Sequence, residues 1–183
     1  MFGRVKWMQA ALVTLIAVPM LSGLIGCGAS PERMGRYDIV VTPAVAGATP
    51  IEVDLVGVSN DQKAVWDSLN VDQYFLPSSQ RRQGEIKNTM VFTPGSGPQT
   101  LSKTDPIWTQ WLGENARKND GGTGARFVYL IAAMGRGDTT TALDTRKVAI
   151  PLSNKFWNNG QQIEVALTDA GLRVMSAQKP QKN

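Results

Sequence analysis

The sequence predicts a mainly β protein, an antiparallel β-sandwich of about seven strands carrying two short helical insertions. Three observations predict it. Residues 51–58, IEVDLVGV, open with Ile51, Val53 and Leu55 alternating with Glu52 and Asp54, the period of a half-buried strand. Residues 126–134, RFVYLIAAM, make the most apolar strand and read as central. Turn-forming clusters recur between such runs, Pro94-Gly95-Ser96-Gly97-Pro98 and Asn158-Asn159-Gly160 among them, with little βαβ alternation. An open α+β sheet is the alternative architecture.

Taken in order, residues 36–42, RYDIVVT, read as the first strand, and Pro43 to Pro50 as a small-residue loop bounded by prolines. In the second strand Val56 breaks the alternation, and Gly57 marks either a bulge or the strand end. A helix over 60–69 follows. Ser59 and Gln62 match a capping box, Asp61 favours the first turn, and Ala64, Val65, Trp66 and Leu69 form its apolar side. Residues 71–76 read as a short strand or extended loop, 86–93 as a strand, and Thr100 to Lys103 as its return. Asp105 and Pro106 start a second helix, with Ile107, Trp108, Trp111 and Leu112 at helical spacing. The two tryptophans there serve either as a core anchor or as a partner surface. Residues 117–125 are a Gly-rich loop without the G-K-[ST] ending of a phosphate loop. Arg136-Gly137-Asp138 is turn chemistry. Residues 145–152 read as a strand ending near Pro151, Asn158-Asn159-Gly160 as a hairpin turn, and 161–168 as the last strand.

The N-terminus has the three parts of an export signal. Arg4 and Lys6 give a positive start, Trp7 to Met20 is largely apolar, and Ser22, Gly23 and Gly26 are small. Pro19 and the Ser22-Gly23 pair keep the apolar run short of the ~20 residues that a spanning helix needs. Leu24-Ile25-Gly26-Cys27 resembles the bacterial lipobox. That resemblance implies cleavage between Gly26 and Cys27, and a diacylglycerol on the Cys27 thiol that holds the protein to a membrane. Cys27 is the chain's one cysteine and has no partner for a disulfide. Gly28, where Asp would stand for inner-membrane retention, resembles the pattern of outer-membrane sorting, with the folded part facing the periplasm. The expected organisation is a signal peptide at 1–26, a lipidated tether at 27–35, a sandwich at 36–175 and a disordered polar tail at 176–183.

Residues 1–26 hold Arg4, Lys6 and no acid, so the formal charge of +4 falls to +2 without them. The remaining 157 residues suffice for one domain with a real core. No basic stripe is interleaved with aromatics, so nucleic acid is not an expected partner, and Arg81-Arg82, Lys179 and Lys182 read as solvated charge. The chain has no histidine, which excludes a Ser-His-Asp triad, a Cys-His pair and a His-ligated metal. Glu52 and Asp54 read as outward-facing on their strand, and Asp61, Asp67, Asp105 and Asp169 as helix or turn residues, with no pair set for acid–base work. No catalytic residue, cofactor or metal is expected. The chain reads as a protein that works by binding.

The order of elements, with Tyr129-Leu130-Ile131-Ala132-Ala133-Met134 and Arg146-Lys147-Val148-Ala149-Ile150-Pro151-Leu152, resembles the outer-membrane lipoprotein of the type VI secretion membrane complex (TssJ). In that family an aromatic stands where Met134 is, and Trp where Thr145 is. The resemblance implies a structural adaptor that binds the periplasmic part of an inner-membrane secretion protein. It implies contact through the loop after the first strand, here Pro43 to Pro50 with Val45 and Gly47; Trp108 and Trp111 are the further candidate contacts. The other reading is a lipid-anchored module for a ligand or envelope polymer, with an aromatic-lined pocket at Trp108 and Trp111.

Overall fold

The structure, a computed structural model, describes residues 32–45, 49–113, 124–135 and 144–181. Gly26, Cys27, Gly47 and Arg136-Gly137-Asp138 lie outside them. The chain runs β1 (Ile39–Ala44), β2 (Ile51–Val58), α1 (Lys63–Asp67), α2 (Val71–Tyr74), α3 (Gln80–Gly84), β3 (Lys87–Phe92), β4 (Gln99–Leu101), α4 (Ile107–Leu112), β5 (Phe127–Ala132), β6 (Lys147–Pro151), β7 (Ile163–Thr168) and β8 (Gly171–Val174). Two four-stranded sheets, ordered β4-β1-β7-β8 and β3-β2-β5-β6, form the β-sandwich. Their facing sides enclose Ile39, Val41, Val165 and Leu167 from one sheet and Val53, Leu55, Val128 and Leu130 from the other.

The sandwich is not wholly antiparallel. β1 pairs in parallel with β7, Ile39 opposite Ile163 through Ala44 opposite Thr168. The Asn158-Asn159-Gly160 signal is a real turn, with Gly160 at φ 74° and the Gln161 N–H donating to the Asn158 carbonyl at 3.0 Å. It closes no hairpin, because β6 before it and β7 after it belong to different sheets. The last hairpin is one strand later: β7 turns through Asp169-Ala170 into β8, which brings the strand count to eight.

The larger difference is a second apolar core on the outer side of the β3-β2-β5-β6 sheet. Val56, Val58, Tyr129 and Ile131 are covered there by Trp66, Val71 and Tyr74. Residues 71–76 supply α2 rather than a strand. Asn70 caps it, accepting the Gln73 N–H at 3.2 Å, which frees Val71 and Tyr74 to turn inward. Ser79 caps α3 in the same way through Arg82. The expected box at Ser59 and Gln62 does not form, since Gln62 is itself the N-cap of α1 and makes no side-chain cap bond. The Ser59 hydroxyl instead bonds the Asp61 carboxylate.

β2 is therefore buried on both faces, and Val56 was the residue that broke the alternation. Glu52 and Asp54 do lie on the outer face of the sheet, but helices cover that face, and only Glu52 keeps part of its side chain in solvent. Asp54 is fully buried. It accepts from Arg82 Nε at 2.7 Å, Thr89 Oγ1 at 2.6 Å and the Tyr74 hydroxyl at 3.2 Å. Arg82 also donates to Glu52, so it is an ion-pair residue and not solvated charge. Burial, with the Asp54 carboxylate beside it, pushes the Tyr74 hydroxyl far above the usual tyrosine range.

Gly57 is neither bulge nor strand end. A Cβ there would lie 2.3 Å from Cγ of Trp111, whose ring seals this end of the core. Gly57→Ala is expected to cost about 1–3 kcal/mol, because the buried ring has no room to retreat. The shift of the urea midpoint at unchanged slope measures it.

Both ends of the described chain are tied down. Met34, in the expected tether, bridges Ser153, and the Gly35 N–H donates to the Leu152 carbonyl at 2.8 Å. In the expected tail the Ser176 hydroxyl accepts the Glu164 N–H at 2.8 Å, and the Lys179 N–H donates to the Phe156 carbonyl at 2.8 Å.

Candidate partner-binding end of the sandwich

The pairing registers divide the sandwich into two ends. Residues 32–38 lead into the start of β1, beside the end of β6 and the start of β7. The loop after β1 leaves from the other end, where Ala44 lies opposite Thr168 and Ile51 opposite Phe92. The β3–β4 turn, the segment after β5 and the β7–β8 turn gather at that same far end.

The far end has a stiff frame. The Thr145 hydroxyl donates to the Ala170 carbonyl at 2.6 Å, and the Leu172 N–H donates to the Thr145 carbonyl at 2.8 Å. Gly171, at φ 121°, permits this approach, for a Cβ there would lie 2.3 Å from that carbonyl oxygen. Arg146 is buried and forked. Its Nε and Nη2 grip Asp144 at 2.9 and 2.7 Å, and its Nη1 reaches Asp72 at 2.6 Å. The hydrogen bond from Arg146 holds the Asp144 carboxyl below the usual carboxylate range. Next to it, the Lys147 ammonium donates to the carbonyls of Trp66, Asp67 and Leu69 at 2.8, 2.7 and 3.1 Å, closing the C-terminal end of α1. Burial lowers the Lys147 pKa. Both cations are legible in the sequence as strand residues, but the groups they grip are distant in the chain.

The loop residues sit on this frame. Val45 is half-buried and packs against the main core, while Thr42, Ala44, Thr49 and Pro50 are exposed. The Asp38 carbonyl accepts from Ile163, so backbone alternation turns Val40, Thr42 and Ala44 toward β7 and Val41 and Pro43 toward β4. β4 stops opposite Val41. Pro43 therefore occupies the open edge and offers it no N–H, which discourages strand addition. Among the described residues at this end the nearby carboxylate Asp144 is already engaged by Arg146.

Trp108 and Trp111 are elsewhere. They lie at the end where the chain enters, packed edge to face with centroids 5.3 Å apart, Trp108 fully and Trp111 almost fully buried. Their indole N–H groups donate to the carbonyls of Ser102 at 2.9 Å and Ile86 at 2.8 Å. Asp105 starts their helix, accepting the Ile107 N–H at 2.9 Å. The structure does not bring them together with Val45, and it offers neither ring as a contact face. A cleft of about 360 Å³ opens beside Trp111, but Ser59, Asp61, Glu85 and Gln110 line it and Trp111 is its one aromatic residue. Among the described residues no group of His, Cys, Asp and Glu could hold a metal, and no helix is long and apolar enough to cross a membrane.

The chain is similar to solved structures. One is described as the C-terminal domain (869-1107) of the T6SS protein TssM from EAEC, with 14% identity over 76% of this chain and 99% of that one, at a TM-score of 0.50. A chain of a type VI membrane complex is 12% identical over 79% of this chain and 100% of that one, at a TM-score of 0.52. The fold is shared with type VI secretion membrane-complex structures. Serratia marcescens Lip, a membrane-bound component of the type VI secretion system, is 18% identical over 78% of this chain and 98% of that one, at a TM-score of 0.47. A scan of family models and a search of curated proteins each gave no match.

Proposed function

We propose that this chain is a lipid-anchored structural adaptor of a type VI secretion membrane complex, held to the outer membrane through Cys27 and facing the periplasm. It would bind the periplasmic part of an inner-membrane secretion protein with its far-end loops, Pro43 to Pro50 first among them. One observation carries the reading. Glu32, Arg33 and Met34, a few positions after Cys27 in sequence, contact Lys155, Asn154 and Ser153, and the 43–50 loop leaves at the opposite end of β1. A fold whose first described residues, just after the Cys27 anchor in sequence, lie at one end while the loop after β1 leaves from the other suits a bridge between two membranes. The shared fold supports the setting. The function is binding, with no step of chemistry assigned to any residue.

Two results test it. Cys27→Ser is expected to move the protein from the membrane to the soluble fraction, and a variant that still pellets with membranes removes the anchor from the proposal. Crosslinking in intact cells, followed by affinity capture and mass spectrometry, is expected to recover a large inner-membrane secretion protein with the wild type. Gly47→Arg, or Val45→Ser as a milder change, should lower that recovery at least tenfold, the size expected when a central contact is lost. Undiminished recovery with both would put the contact elsewhere.

A further inference from the structure

The segment Ser153–Phe156 is gripped by both ends of the described chain. The Arg33 N–H donates to Asn154 Oδ1 at 3.1 Å, and the Asn154 N–H returns a bond to the Arg33 carbonyl at 2.9 Å. From the other terminus Lys179 Nζ donates to the Asn154 carbonyl at 2.9 Å. Arg33, through its backbone, and Lys179, through its ammonium, thereby meet at Asn154, next to Lys155 in the chain. Among the described residues the acid paired there is Glu32, in an exposed pair with Lys155 at 3.6 Å that water screens. Met34 and Phe156, both partly exposed, lie among these cations with their inner sides against the core. The helix-covered side is different, for there Arg82 and Arg146 are matched by Glu52, Asp54, Asp72 and Asp144.

The face around Asn154 is also where the described residues begin, at Glu32. Cys27 lies five positions before Glu32, a covalent reach of at most about 18 Å. We infer that the face formed by Arg33, Lys155 and Lys179, with Met34 and Phe156, is an electrostatic seat for the anionic headgroups of the membrane that holds the lipid. The inference rests on the lipid-anchor reading. Basic side chains close to an anionic leaflet are attracted to it, and an aromatic residue among them suits the headgroup level. The consequence is orientation. A tether alone would let the sandwich tumble, whereas a seated face points the 43–50 loop away from the bilayer.

The test uses the full lipidated protein, purified from membranes and reconstituted into two kinds of vesicle, phosphatidylcholine alone and phosphatidylcholine with phosphatidylglycerol. Lysine acetylation by a water-soluble reagent is then followed residue by residue. The expected result is labelling of Lys155 and Lys179 about fivefold slower on the anionic vesicles, with Lys63 on α1 unchanged. The protection should vanish in 1 M salt, where screening acts within about 3 Å. Equal rates on both vesicles, with the protein still floating with them, would overturn the seat and leave the anchor standing. Equal slowing at Lys63 would mean crowding by the vesicle and would also overturn it. Failure to float with either vesicle would sink the anchor reading, and this inference with it.

Discussion

Replacing Arg82 by alanine is expected to cost about 3 kcal/mol of stability, more than most surface arginines by a wide margin. The reason is what stays behind. Asp54 is fully buried, and its carboxylate takes two hydrogen bonds from hydroxyls, those of Tyr74 and Thr89, besides those from Arg82. Without the guanidinium a buried negative charge keeps two neutral donors and no counter-ion. The figure sits at the low end of the range for broken buried pairs because the Arg82 side chain is 24% exposed, so water can enter the vacated place. Packing adds to the loss, for the guanidinium lies 4.6 Å from the centre of the Phe75 ring. The measurement is urea unfolding followed by tryptophan fluorescence, read as a shift of midpoint at constant slope. A second variant separates charge from packing. Arg82→Met with Asp54→Leu removes both charges together and should recover most of the loss. If Arg82→Ala costs less than about 1 kcal/mol, the pair behaves as a surface ion pair and the burial argument fails.

That network shows where sequence reading stops. The alternation of Ile51, Val53 and Leu55 is a local property, and it located β2 and its inward face. What covers the other face is not local, because it depends on where residues 63–84 fold back. Val56 was the available signal, an apolar residue on the face assigned to water. With Val58, Tyr129 and Ile131 it marks a strip of outer surface too apolar to leave bare. Had the strip been read, α2 would have been legible as well, since Val71 and Tyr74 are three apart behind an Asn cap. Asp54 and Arg82 stand 28 residues apart, and no spacing rule joins them. The parallel pairing of β1 with β7 was hidden for a similar reason. The Asn158-Asn159-Gly160 turn is strong enough to imply a hairpin, yet it hands the chain from one sheet to the other. For Trp108 and Trp111 the sequence leaves a core anchor and a partner surface both open; the core anchor is what forms, and the close approach of the Trp111 ring to Gly57 has no local signal.

The aromatic centre of the second core should be nearly as sensitive as the ion pair on which it borders. Trp66 is fully buried, with Tyr74 and Tyr129 each 5.9 Å away between ring centroids and the Arg81 guanidinium 5.3 Å from its ring. Trp66→Ala removes the largest side chain between α1 and the sheet and is expected to cost about 3–5 kcal/mol. The indole N–H makes a finer prediction possible. Among the described residues it has no hydrogen-bond partner, whereas the N–H of Trp108 donates to Ser102. An unmatched buried donor carries a penalty of about 1–3 kcal/mol, which Trp66→Phe relieves while it opens a small cavity. Trp108→Phe opens a similar cavity and also strips a carbonyl of its donor. Trp66→Phe should therefore be the milder of the two, although both rings are equally buried. Hydrogen exchange would show where the damage goes. Loss of Trp66 should release amides in α1 and α2 first, and β1 and β7 last, since the main core between the sheets does not include that ring. The effect reaches the candidate partner-binding end through Arg146, which joins Asp72 at the start of α2 to Asp144. A Trp66→Ala protein that exchanges uniformly would instead mean that layer and sandwich open as one unit, and the far-end frame would then be no softer than the core.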